Sequence, residues 1–254
     1  MTMKNLLLTL LIFSAILTAQ QVRTKRMIDI PTAFTMDQAE LEIGGRLYAV
    51  DGMSGEVNIG IFNNFFIGVS YGGTDIIGRN KPVWNGHPGV RLQYRIIPED
   101  FYYPNVSAGF DSQGYGQWYD PRYEIKSKGF FLVFSKNYYV SEGDLGTLGI
   151  HAGANYCVNE KPVDGDDNVN FFVGFDKSLI KDVTLLVEYD LGLNDNADDS
   201  LRREKGYLNL GIRWSFGDQL HLELDMKDIL KNVKGTDNFS RELRIIYNSA
   251  FFTK

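Results

Sequence analysis

From about residue 39 onward, large apolar residues recur at every second position in segment after segment, the period of strands with one buried face. The stretch GYLNLGIRWSFGDQLHLELDMKD at 206–228 shows it most plainly. Leu208, Leu210, Ile212, Trp214 and Phe216 alternate with Asn209, Gly211, Arg213 and Ser215. After a turn at Gly217 and Asp218, Leu220, Leu222, Leu224 and Met226 alternate with His221, Glu223 and Asp225. One face suits oil and the other carries charge, but the period alone does not say which face points inward.

Segment length, segment number and loop length decide that question together. The alternation predicts strands near 39–50, 54–61, 65–73, 88–97, 104–111, 129–137, 146–157, 168–177, 183–192, 206–216, 219–227 and 240–249. That is about twelve, an even number, mostly of the length of roughly nine to eleven residues that a strand needs to cross a bilayer. The connections alternate between short ones, such as Asn63-Asn64 and Gly217-Asp218, and long ones, with only the first long-side connection, near Asp51-Gly52, short. A soluble sandwich or lipocalin-like barrel explains the alternation but has no reason for this parity. The expected fold is all-β, a transmembrane antiparallel up-and-down barrel of about twelve strands with its oily face outside. The stretch KGFFLVFSK at 128–136 is apolar on both faces, so its phase is open.

The N-terminus is consistent with export. Lys4 precedes an apolar run over 6–17, and Ala19 is followed by Gln20 and Gln21, the layout of a secretory signal peptide. The expected organisation is a signal peptide over 1–19, a periplasmic segment over 20–37 and an outer-membrane barrel over 38–254. The net charge of −6 argues against nucleic acid as a partner. Cys157 is the single cysteine, so no internal disulfide can form. Tyr71, Trp214 and Phe216 near strand ends suit an interfacial aromatic girdle. The expected partners are outer-membrane lipid and lipopolysaccharide, the barrel assembly machinery and a polysaccharide. No cofactor and no metal is expected.

Residues 28–48, IDIPTAFTMDQAELEIGGRLY, resemble the opening segment of YjbH-like outer-membrane β-barrel proteins, in which a Pro-Thr/Ser-Ala turn precedes the first strand. SYGG at 70–73, PGVRLQYRI at 88–96, GFDSQGYG at 109–116, GFDKSL at 174–179, EYDLGLND at 188–195 and GYLNLGIRWSF at 206–216 continue the likeness. The resemblance implies a role in exopolysaccharide production or export.

The predicted lumen face carries the candidate site residues Arg91, Arg95, Glu188, Asp190, Arg213, Glu223, Asp225 and Arg244, along with Glu42, Arg46, Asp111, Asp176, His221 and Glu242. Carboxylate pairs such as Glu188/Asp190 and Glu223/Asp225 have the chemistry for acid–base work, but an ion-pair network explains them more simply, since buried charges must be paired. In outer-membrane phospholipase A, a twelve-stranded hydrolase, Ser and His share one short motif. Here His87, His151 and His221 have no Ser two residues away. Asp164, Asp166 and Asn168, with Asp195, Asp198 and Asp199, offer oxygen ligands to a cation, but Val169 stands where a calcium loop needs Gly. Arg79, Lys81, Arg202, Arg203 and Lys205 fall in long loops, where they could meet lipopolysaccharide phosphates. The loops 78–89 and 114–123, rich in Gly, Trp and Tyr, suit either sugar stacking or folding over the pore. No catalytic residue is assigned. The reading is a non-enzymatic barrel in envelope transport or exopolysaccharide export, against a hydrolase or a soluble periplasmic binding protein.

Overall fold

A computed structural model describes residues 24–139, 146–160, 165–166, 168–197, 200–217, 219–235 and 237–250. The expected signal peptide over 1–19 lies outside the described residues. Twelve long strands form the wall. They are β1 (Glu40–Tyr48), β2 (Gly52–Phe62), β3 (Phe65–Thr74), β5 (Gly89–Ile97), β6 (Asn105–Asp111), β9 (Gly129–Tyr139), β10 (Thr147–Tyr156), β11 (Asn170–Ile180), β12 (Val183–Asp190), β13 (Tyr207–Phe216), β14 (Leu220–Lys227) and β15 (Ser240–Ala250). Each corresponds to one segment expected from the alternation. Three short strands were not legible: β4 (Val83–Trp84), which pairs antiparallel with the end of β3, and the hairpin of β7 (Tyr115–Tyr119) and β8 (Arg122–Ile125).

Every neighbouring pair in the wall is antiparallel, and β1 pairs with β15 from Glu40↔Ala250 to Leu47↔Leu243, which closes the barrel. Closure leaves no free sheet edge, so the wall satisfies its own backbone groups without water. The alternation then sorts side chains between lipid and lumen. In β14, Leu224 is 65% exposed while its neighbour Glu223 is fully buried. In β13, Ile212, Trp214 and Phe216 point outward while Asn209 and Arg213 are buried. The ambiguous stretch in β9 resolves the same way. Phe130, Leu132 and Phe134 are exposed, whereas Phe131, Val133 and Ser135 are buried. The oily face is on the outside, a surface that only lipid can cover.

The two ends differ. The turn end carries 63–64, 98–104, 181–182 and the tight turn at Gly217, whose φ of 65° suits glycine. The loop end carries the connections that span 75–88, 112–128, 157–169, 191–206 and 228–239. Tyr71 stacks on Trp84 at the loop end, and Trp214 stacks on Phe216 at the turn end, so both rims carry exposed aromatics.

One difference from the sequence reading concerns 20–37, expected as a periplasmic segment. Residues 25–34 and Met36 are buried, and they lie inside the barrel. The physical reason is an apolar patch on the polar face. Phe131, Val133, Phe172 and Leu186 point into the lumen and cluster with Met27, Ile28, Ile30 and Ala33. Neither group could face water cheaply, and each covers the other.

Candidate functional site

The lumen is a charged sleeve around a peptide. Residues 24–32 double back as a hairpin, with an antiparallel bridge between Arg26 and Pro31 and a hydrogen bond of 3.0 Å from Met27 N to Ile30 O. At its tip the backbone N–H groups of Ile28, Asp29 and Ile30 donate to the Glu188 carboxylate at 3.0 to 3.1 Å. Successive N–H groups converging on one anion form a nest, which is how a buried carboxylate can be solvated without water. Asn209 Nδ2 completes the shell of Glu188 at 2.7 Å. Two glycines make room for the tip. A β-carbon on Gly174 would lie 2.7 Å from Ile30 Cδ1, and one on Gly211 would lie 3.2 Å from Ile28 Cδ1.

The hairpin's carbonyls are met by donors from around the wall. Arg91 reaches Lys25 O at 2.6 Å, Arg46 reaches Ile28 O at 2.8 Å, and Arg244 reaches Met27 O at 3.1 Å. Arg213 faces Arg26 O and Met27 O at 3.3 and 3.4 Å. Lower down, Gln93 donates to Thr32 O and Phe34 O, and Ser107 to Ala33 O. Side-chain ion pairs add to these. Asp29 lies 2.8 Å from both Arg46 and Lys227, and Arg26 is 2.8 Å from Asp111 and 3.2 Å from Glu56. Lys25 pairs with Glu40 at 2.5 Å.

The structure thus brings Arg91, Glu188, Arg213 and Arg244 together on the hairpin. Glu223 stands one layer behind, 2.5 Å from Arg213 and 3.5 Å from Arg244. Asp225, beside it, has no hydrogen-bond partner among the described groups. Asp190 is nearer the loop end, paired with Lys128 and accepting from Asn170 at 2.7 Å. Arg95 stands apart at the turn end, where it donates to Asn63 O at 2.8 Å.

Sequence reasoning placed Arg46 on the lumen face but missed the hairpin itself, Lys227 and Tyr115. The signal was present in the apolar run of 27–34 before the first strand and in four apolar residues on the polar face. It also missed a chain of hydrogen bonds from Ser135 Oγ to His151 Nδ1, at 2.7 Å, and from His151 Nε2 to Asp176 at 2.8 Å. A search for Ser close to His along the chain could not find it. Ser135 and His151 face each other across the β9–β10 ladder.

At the loop end, connections fold over the opening. Arg122 makes a two-pronged contact with Asp195 at 2.9 and 2.8 Å, and Arg202 joins it at 3.0 Å. Burial pushes the Asp195 carboxyl up, but the Arg122 hydrogen bond and the charges of Arg202 and Arg122 outweigh it and hold the group below the usual carboxylate range. Burial raises Glu160 above that range, even though Ser127 N and Tyr123 N donate to it at 3.0 and 3.2 Å. Arg202, read as an exposed loop charge that could meet lipopolysaccharide phosphates, is turned inward and buried at 1% exposure. Asp166, a candidate cation ligand, accepts from Asn196 N and Ala197 N, while Asp164, Asp198 and Asp199 lie outside the described residues. Tyr115, from the inward-folded β7–β8 hairpin, touches the plug. Its hydroxyl donates to Asp29 O at 3.1 Å, and its ring lies under Arg46 and Lys227 at 4.8 and 4.7 Å. Between Tyr115 and the β1–β3 wall is a pocket of about 460 Å³, its open mouth included, lined by Arg26, Arg46, Tyr48, Glu56, Gln113 and Arg244 among others.

A closed wall with an oily exterior and an ion-paired interior defines a transmembrane β-barrel, here with its lumen occupied by its own N-terminal hairpin. No protein-family model and no curated protein matches the chain. Among solved structures, the KdgM porin is similar, with a TM-score of 0.47 and 10% identity over 82% of this chain and 98% of that one. The KdgM porin in complex with disordered oligogalacturonate gives 0.46 and 11% over 84% and 99%. The outer membrane protein Omp33 of Acinetobacter baumannii gives 0.47 and 8% over 84% and 98%. Each is a similarity of overall shape.

Proposed function

We propose that the protein is a non-enzymatic, transport-type barrel of the bacterial outer membrane, held closed by residues 24–36, with its turn end in the periplasm. The observation that carries this reading is the buried hairpin in an otherwise polar lumen. A purely structural barrel can fill its interior with wall side chains, whereas this one fills it with residues 24–36, a segment outside the wall that leads into β1. The lipid-facing band and the aromatic rims support the membrane and its lipids as partners, and the signal-like N-terminus supports export and hand-over to the barrel assembly machinery.

The test is conductance. Glu188→Ala leaves the N–H groups of residues 28–30 without their acceptor, so open events in planar bilayers are expected to become at least tenfold more frequent than in wild type. A folded Glu188→Ala barrel, judged by heat-modifiable gel migration, that passes neither ions nor small polar solutes would remove the transport reading. The finer assignment, export or assembly of an exopolysaccharide, is supported by the YjbH-like stretches. Unchanged secreted and surface glycan in a deletion strain would overturn it.

The Ser135–His151–Asp176 chain favours a second reading, a hydrolase with Ser135 as nucleophile. Against it, Ala33 N donates to Ser135 Oγ at 2.8 Å and Phe34 lies edge-on to His151, so the hydroxyl is covered. A fluorophosphonate probe decides. Labelling at Ser135 in Glu188→Ala would establish the hydrolase, and no labelling in that variant or in wild type would exclude it.

A further inference from the structure

We infer that the barrel interior is a binding site for a polypeptide hairpin, which residues 24–36 enter and leave as one unit through the turn end. The inference rests on the transport reading, for which it supplies the gate. Two observations carry it.

The first is what the wall recognises. Arg91, Arg213, Arg244, Arg46, Tyr115, Gln93 and Ser107 all donate to main-chain carbonyls of residues 25–34, while Glu188 and Ser135 accept from main-chain N–H groups. A wall that solvates a main chain this fully treats the segment as a bound ligand, because every contact is a non-covalent bond between separate elements. The same donors and acceptors would be orphaned in an empty lumen unless water replaced the peptide. Water can do so at the charged and polar groups, while the apolar patch of Phe131, Val133, Phe172 and Leu186 favours the hairpin's return.

The second is direction. The Arg26–Pro31 bridge is antiparallel, and the second leg, 31–37, leads into β1 at the turn end. The first leg, followed back from Arg26 to Thr24, therefore runs toward the same end. Thr32 Oγ1 donates to Thr24 O at 2.5 Å, holding the legs side by side. A hairpin whose two legs, as far as the described residues go, both point to one end can be withdrawn toward that end tip last. Ala39, at a φ of 64°, supplies the bend between the hairpin and β1. At the loop end Tyr115 holds the tip through Asp29 O, and the Arg122–Asp195 clamp ties together the connections folded over that opening. The gate is thus pulled from the periplasmic side.

The experiment uses the full chain in a supported bilayer, with Cys157→Ser and a single attachment thiol at Thr24→Cys. Pulling on that thiol from the turn end is expected to give one rupture that releases about 45 Å of chain, roughly 3.5 Å for each residue of 24–36. Relaxation is expected to let the hairpin rebind, so that the same event repeats on the next pull. A second variant carrying Ala33→Cys and Ser107→Cys, joined as a disulfide, is expected to shorten the release to about 30 Å, the length of residues 24–32, until it is reduced. Extraction of wall strands with no preceding release, or a release that never reverses, would overturn the inference. Current is recorded at the same time. Reversible release without current would remove the transport reading and leave the peptide site standing. Current through Glu188→Ala with no release event would do the opposite.

Discussion

The hairpin in the lumen and the connections folded over the loop end both obstruct the barrel, but they are held in different ways. The hairpin is gripped mainly by its main chain, with Glu188 on three N–H groups and four arginines on its carbonyls. The lid is gripped mainly by side chains, above all the Arg122–Asp195–Arg202 cluster. A main-chain grip is insensitive to most substitutions in the bound segment and sensitive to those in the wall. A side-chain grip fails when either partner changes, and it titrates. The comparison teaches that the inner closure depends little on the side chains of the segment it holds, whereas the outer one depends on a few charged groups and so on pH.

The largest expected effect follows from Arg46. Its guanidinium bridges Asp29, Glu242 and Ile28 O, and its removal leaves both carboxylates to share Lys227. Breaking a buried charge network of this kind costs about 3–5 kcal/mol. In Arg46→Ala, trypsin is expected to cut after Lys25 or Arg26 at least about a hundredfold faster than in wild type, while the wall keeps its heat-modifiable migration. Equal cutting rates would show that the wall charges do not hold the hairpin.

Arg122→Ala should have a smaller effect, and at the other closure. Arg202 still pairs with Asp195, so the expected loss is about 2–3 kcal/mol, below that of a pair left wholly unmatched. Clipping in 191–206 is expected to rise while the hairpin stays protected. If both closures loosen together, Tyr115 couples them and they are one device.

The wall was legible in the sequence because lipid and lumen impose opposite demands on alternate residues, and these demands leave a period-two record. Residues such as Glu223 and Leu224, adjacent in sequence and opposite in exposure, carry that record directly. The hairpin left a fainter one. It has no period, many of its contacts are main-chain contacts that no residue type announces, and its tip partner Glu188 lies some 160 residues away in sequence. Arg91, Glu188, Arg213 and Arg244 could be placed on the inner face from alternation, but what they would hold could not. Arg202 shows the converse: a charged loop residue reads as exposed until the structure supplies the Asp195 that buries it.

Acid should separate the closures further. Asp195 has its folded pKa lowered, so its contribution is fully present above the unfolded value of about 4 and is lost as pH falls through the lower folded value. Glu160, raised by burial, works the other way: its contribution is greatest at low pH and is lost as pH rises through its folded value. Limited pepsin digestion between pH 4 and pH 2 is expected to cut 191–206 faster at the lower pH in wild type. Asp195→Asn is expected to flatten that dependence, and a slope that survives it would assign the acid response to another group.

The smallest effect is expected at Arg95. It was grouped with the lumen charges by its place in the alternation, yet its guanidinium donates to Asn63 O in a turn, and the residue is only half-buried. A single bond at a hydrated rim is worth about 1 kcal/mol or less, because water replaces it when it is lost. Arg95→Ala should therefore leave trypsin cutting of the hairpin within about threefold of wild type, against at least a hundredfold for Arg46→Ala. Both residues are arginines on the same predicted face, so the pair isolates depth from charge. Hairpin release in Arg95→Ala as large as in Arg46→Ala would mean that the turn-end rim, not the deep network, holds the gate, and the contrast between the two closures would have to be redrawn around the exit.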